Sequence, residues 1–85
     1  MKTSAGSLES SDCLITISDS SEIEIDIESV VFAQFGEQIK EVIVNTLNEH
    51  NMTNVLVQCF DKGALDYTIK SRLETALNRR GEHHE

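Results

Sequence analysis

Apolar and polar residues alternate along the first third of the chain. Cys13, Ile15 and Ile17 are separated by more polar neighbours, and Ile23, Ile25 and Ile27 are interleaved with Glu22, Glu24, Asp26 and Glu28. A period of two sends successive side chains to opposite faces of an extended chain. The pattern predicts one strand over 12–18 and a second over 22–28, with turn chemistry between them at Asp19, Ser20 and Ser21. The second strand would turn its isoleucines to a core and its four carboxylates to water, where the charges also discourage edge-to-edge aggregation. From residue 31 the period changes. Phe32, Phe35, Ile39, Val42, Ile43 and Leu47 recur at spacings of three and four, which predicts a helix ending at His50-Asn51. Residues 53–60, TNVLVQCF, are rich in β-branched residues and predict a third strand. Asp61-Lys62-Gly63 then breaks the chain, with Asp61 placed to cap a second helix. That helix carries its apolar stripe at Leu65, Ile69, Leu73, Ala76 and Leu77. Lys70, Arg72, Arg79 and Arg80 load its later half, as the helix dipole favours, and Gly81 is its expected stop.

The expected fold class is therefore α+β, a two-layer β-β-α-β-α arrangement. Each helix has one apolar stripe, so a three-stranded sheet would have both helices packed on one face. The first two strands would pair as a hairpin, and the second strand, first helix and third strand would form a crossover unit. The open face would carry the acid row together with Leu14, Leu56 and Phe60. Residues 1–8, with Ser4 and Ser7 around Gly6, read as a flexible N-terminal arm, 9–80 as a single domain and 81–85 as a frayed tail.

Composition narrows the function. Eighty-five residues with 39% apolar and 26% charged content suit one small domain without room for a deep pocket. The net charge of -8 sits entirely in residues 1–50, where ten acids meet only Lys2 and Lys40. Such a surface repels nucleic acid and anionic lipid and favours partners with basic patches. No apolar run approaches the ~20 residues of a membrane span and no leader is evident, so a cytoplasmic location with free thiols at Cys13 and Cys59 is the expectation. Cys13, Cys59, His50, His83 and His84 lack the paired short spacing of a zinc site, so no metal site is expected. Catalysis is not expected either. A serine or cysteine nucleophile needs an oriented base, and His50 ends a helix without an evident partner. Ser10 and Ser11 lie between Glu9 and Asp12 with nothing to activate them. A serine in that position can be plain solvated chain, or a substrate for an enzyme that supplies the base.

Two stretches decide between these. Gly6-Ser7-Leu8-Glu9-Ser10-Ser11-Asp12 resembles the N-terminal Gly-Thr/Ser-x-Glu-Ser-Gly/Ser-Asp segment of the citrate lyase acyl carrier proteins, the gamma chains of that complex. Asp61-Lys62-Gly63-Ala64-Leu65-Asp66, entering the second helix, resembles a second segment of the same family, and QFGEQI at 34–39 supports both. The resemblance runs from about Gly6 to Arg80. It implies a non-catalytic carrier whose serine after the glutamate, here Ser10, holds a covalent 2'-(5''-phosphoribosyl)-3'-dephospho-coenzyme A; Ser11 is the less favoured position. The thiol of that arm would hold acetyl and citryl thioesters while citrate is cleaved to acetate and oxaloacetate. The implied partners are the citrate lyase alpha and beta subunits, a prosthetic-group transferase and an acetate ligase, with no nucleic acid and no membrane. The carrier subunit of malonate decarboxylase is the nearest alternative. An acidic adaptor that binds a partner without modification is the alternative from another class.

Overall fold

A computed structural model describes residues 2–82. His83 and His84, weighed above as metal ligands, and the rest of the expected tail beyond Glu82 lie outside these residues. The elements run β1 (Thr3–Gly6), β2 (Cys13–Asp19), β3 (Glu24–Ser29), α1 (Phe32–Glu49), β4 (Val55–Asp61) and α2 (Asp66–Glu82). The strands form one sheet in the order β1-β2-β4-β3. β1 and β4 each pair antiparallel with β2, and β3 pairs parallel with β4.

The α+β class, the helical layer and the β3-α1-β4 crossover match the expectation; the strand count and the hairpin do not. The sheet has four strands rather than three, because residues 3–6 of the supposed flexible arm form β1. Its inward residues are only Thr3 and Ala5, too small to register as an apolar period. Thr3 is held instead by a hydrogen bond from its Oγ1 to the Ala76 carbonyl at 2.8 Å. The expected hairpin of β2 and β3 is also absent. β4 lies between them, pairing Ile17 with Val57 on one side and Ile25 with Val57 on the other. The physical reason is burial. β4 places Val55, Val57, Cys59 and Asp61 in the interior and half-buries Leu56, Gln58 and Phe60, which suits a central strand. β3 exposes Glu24, Asp26 and Glu28 and only half-buries Ile25 and Ile27, which suits an edge.

Both helices lie on one sheet face. Cys13, Ile15, Ile17, Val55, Val57 and Cys59 meet Ile39, Ile43 and Leu47 of α1 and Ile69, Leu73 and Ala76 of α2 in one core. Each fully buried side chain of Leu or Ile size contributes about 1.5–3 kcal/mol relative to exposure. On the open face, Glu24, Asp26 and Glu28 of β3 stand opposite Leu56, Gln58 and Phe60 of β4. α1 ends as expected, with Asn51 at φ 55° and the Met52 N–H bonded to the Leu47 carbonyl at 3.0 Å. α2 continues through Gly81 to Glu82 instead of stopping. Among the described residues no helix is long and apolar enough to cross a membrane.

Three residues assigned to buried stripes are exposed. Phe32 and Phe35 lie in the first turn of α1, Phe32 in an open groove beside Ile25 and Ile27 of β3, and Leu65 precedes α2 altogether. The Phe32 ring lies against Gly36, where an added Cβ would meet it at 2.8 Å.

Candidate functional site

The site lies at the end of the sheet where β2 begins and β3 and β4 finish. Cys13 stands opposite Asp61, and Asp61 opposite Ser29. Three loops meet there: residues 7–12, 30–31 and 62–65.

The first loop carries the two serines. Glu9 to Asp12 close a β-turn through the Asp12 N–H and the Glu9 carbonyl at 3.1 Å. Ser11 sits at φ 67°, the third-position conformation of a type II turn that glycine favours. Two backbone bonds stitch the turn to the neighbouring loop: Ser11 N–H to the Lys62 carbonyl at 2.9 Å, and Lys62 N–H to the Asp12 carbonyl at 2.9 Å. Ser10 occupies the corner. It is exposed, and among the described residues its hydroxyl has no hydrogen-bond partner.

Asp12 clamps the turn to the body. Arg72, projecting from α2, donates through Nε to Oδ1 at 3.0 Å and through Nη2 to Oδ2 at 3.2 Å. Ser7 Oγ donates to Oδ2 and the Cys13 N–H to Oδ1, each at 2.7 Å. The Arg72 hydrogen bond, then those from Ser7 and the Cys13 amide, hold the Asp12 carboxyl down at about 2, against an ordinary value of 3.8. A depressed carboxyl stabilises the fold above its unfolded value and loses that contribution as pH falls through the folded one. In urea unfolding followed against pH, Asp12→Asn should therefore flatten the loss of stability between pH 3.8 and about 2 relative to the parent chain. An unchanged slope in that window would show that the clamp does not persist in solution.

Asp61 organises the second loop from inside. It is 2% exposed. Its carboxylate accepts from Ser29 Oγ at 2.7 Å, the Gly63 N–H at 3.1 Å and the Ala64 N–H at 2.9 Å. Ser29 Oγ in turn accepts from the Val31 N–H at 3.1 Å, and the Asp61 carbonyl from the Val30 N–H at 3.2 Å. Asp61 thus shapes the loop ahead of α2 and is not that helix's cap. Asp66, the first residue of α2, is held by Gln38 of α1 at 2.9 and 3.0 Å.

The other candidates lie elsewhere. His50, at the far end of α1, is paired with Glu74 at 3.0 Å. Cys13 and Cys59 are free and buried on neighbouring strands. The hydrogen bond with Cys13, together with burial, pushes the Cys59 thiol up, so it stays protonated. The sequence does not show the roles of Arg72, Ser7 and Ser29 at this site. The basic half of α2, read as dipole complement, instead makes specific partnerships: Lys70 with Glu49, Arg72 with Asp12, Arg79 with the Ser4 carbonyl and Arg80 with Asp19. No single-residue signal distinguishes these roles, because each partner is distant along the chain.

Residues 1–80 match a family model described as ACP, the malonate decarboxylase delta subunit (MdcD). The citrate lyase acyl carrier protein of Treponema denticola is 47% identical over 77 residues, covering 91% of this chain and 88% of the relative. That of Lactiplantibacillus plantarum is 53% identical over 76 residues, covering 88% and 79%. The chain belongs to the citrate lyase acyl carrier protein family. Members of this family are carrier subunits, not enzymes in their own right. A chain of a Pseudomonas malonate decarboxylase hetero-tetramer, solved with malonate, superposes on this acyl carrier with a TM-score of 0.77. That likeness covers 92% of this chain and 81% of the other at 14% identity, and it speaks for a shared fold alone.

Proposed function

We propose that this chain is the acyl carrier subunit of a citrate lyase and that Ser10 is the attachment point of 2'-(5''-phosphoribosyl)-3'-dephospho-coenzyme A. The observation that carries the assignment is the placement of Ser10: an exposed, unengaged hydroxyl at the corner of a turn whose backbone and flanking carboxylate are pinned to the body. Ser11 fits less well, because its amide is tied to Lys62 and its left-handed φ suits a glycine. The surroundings suit a phosphodiester. Arg72 neutralises Asp12 beside it, and Lys62 adds a cation on the adjoining loop. When bound, the group supplies a thiol at the end of a flexible arm. The chain's own part is to hold the anchor still and otherwise stay out of the way. Tethering by a short flexible linker gives effective concentrations in the ~mM range.

The proposed partners are the alpha and beta subunits, the loading transferase and the acetate ligase. The acidic surface favours quick, salt-sensitive encounters with basic clefts. Two reduced buried thiols suit the cytoplasm. Intact mass and peptide mapping after incubation with the family's transferase and activated precursor test the assignment. One added group on Ser10, abolished by Ser10→Ala, is expected; label on Ser11 would move the site, and no label would remove the carrier reading. The description of the matching family model favours malonate decarboxylase as a second reading. Reconstitution of the loaded chain with catalytic subunits of each complex separates the two: citrate cleavage is expected, and malonate decarboxylation would reverse the choice.

A further inference from the structure

Seven large apolar side chains are exposed among the described residues, and their positions are uneven. Leu8, Val30, Phe32, Phe35, Leu65 and Tyr67 all lie in or beside the three loops at the Ser10 end. Ile23, just ahead of β3, is at the opposite end. Val30 is 65% exposed, Leu65 60% and Tyr67 71%, so these side chains are presented, not merely grazed by solvent. Leu8, Val30, Phe35, Leu65 and Tyr67 line two clefts that share Asp61, while Phe32 lies in a separate groove beside Ile25 and Ile27 of β3. One, of about 400 Å³, lies between Leu8, Val30, Phe60 and Lys62. The other, of about 470 Å³, lies between Phe35, Leu65 and Tyr67. Leu8 is two residues from Ser10, and Lys62 accepts the Ser11 amide, so the first cleft adjoins the serine directly. A small acidic chain that gathers its exposed apolar residues at one end has a surface built for a partner.

We infer that this end of the molecule is the docking face for the enzyme that modifies Ser10, a partner presenting an apolar patch rimmed with basic residues. The inference rests on the carrier reading and extends it. Two arguments select this occupant. An enzyme acting on the Ser10 hydroxyl must bring its active site to that atom, so it covers the surrounding surface. The rim gives the second argument. Glu9, Glu28 and Asp66 are exposed around the clefts, and among the described residues Lys62 is the one basic side chain lining either. Charge complementarity therefore calls for a basic partner surface, and the exposed aromatic residues supply the kind of anchor that dominates interface energetics.

The test measures binding of the unloaded chain to the family's loading transferase by calorimetry, alongside loading by intact mass. Val30→Ser with Leu65→Ser is expected to weaken binding at least tenfold and to slow loading. Ile23→Ser at the far end should bind like the parent, and Ser10→Ala should bind but not load. Should the double variant not fold, as judged by its circular dichroism melt, Leu8→Ser with Tyr67→Ser carries the same expectation from other segments. If the patch variants bind like the parent while Ser10 still loads, the docking inference falls and the carrier reading stands. If the parent neither binds nor loads, both fall. If the patch variants abolish self-association in sedimentation but leave transferase binding intact, the face belongs to a second copy of the chain and the inference is overturned.

Discussion

Gly6→Ala is expected to be among the most damaging single substitutions in the chain, lowering stability by roughly 3 kcal/mol or more. Gly6 ends β1 at φ +99°, where a side chain is already disfavoured. A Cβ there would lie 1.9 Å from the Cys13 carbonyl oxygen and 3.3 Å from Arg72 Cδ. The first contact is with backbone that cannot swing aside, because that same oxygen accepts the Ser7 N–H at 3.1 Å. Relief would require β1 to lift from β2, which uncovers Ala5 and breaks the Thr3 hydrogen bond to α2. The second contact pushes on the arginine that clamps Asp12. Gly63→Ala provides the comparison. Gly63 has a similar φ of +91° but nothing within 4 Å of its added Cβ, so only backbone strain applies, about 1 kcal/mol. Urea unfolding of both variants measures the difference. Hydrogen exchange at the Ser7, Ser11 and Lys62 amides should accelerate in Gly6→Ala more than in Gly63→Ala. Equal effects would mean that strain, not the clash, governs Gly6.

Legibility followed the size and range of the interactions. The period-two runs through Ile15 and Ile25, and the period of α1, depend on neighbours within one element, so the sequence displays them directly. β1 was missed because Thr3 and Ala5 bury little area, and the Thr3 bond to Ala76 spans nearly the whole chain. Strand order was missed for the same reason. Short turn-rich connections suggest hairpins, yet the choice of central strand depends on which strand can bury both faces, and β4 with Leu56 and Phe60 does so better than acidic β3. The Ser20 N–H bonds to the Asn54 carbonyl at 3.2 Å as the chain passes the start of β4 toward the far edge. At the site, Ser10 was visible only through resemblance, since an exposed serine carries no local signature. Asp61 was seen as a capping carboxylate, but its burial and its bond from Ser29 come from strand pairing.

Asp61→Ala should destabilise the fold by roughly 3–5 kcal/mol, the range for breaking a buried, fully engaged polar network. Three donors lose their acceptor at once: Ser29 Oγ, Gly63 N–H and Ala64 N–H. Asp61→Asn keeps the volume but only one acceptor oxygen. It can satisfy the donors at one oxygen position and must leave at least one at the other, so an intermediate loss is expected. Ser29→Ala alone should cost about 1–2 kcal/mol, since Asp61 keeps its two amide bonds while the Val31 N–H loses its acceptor. A double-mutant cycle with Asp61→Ala and Ser29→Ala should return a coupling of about 1 kcal/mol or more, as expected for direct partners. Near-additivity would show that the two residues act separately. The same variants bear on attachment at Ser10. Lys62 sits between Asp61 and Gly63 and supplies both backbone bonds to the Ser10 turn. If loop 62–65 relaxes, that turn loses its support on one side while Arg72 and Asp12 still hold the other. Loading of Asp61→Asn, measured at a temperature where the variant remains folded, should therefore be slower than that of the parent but confined to the same serine.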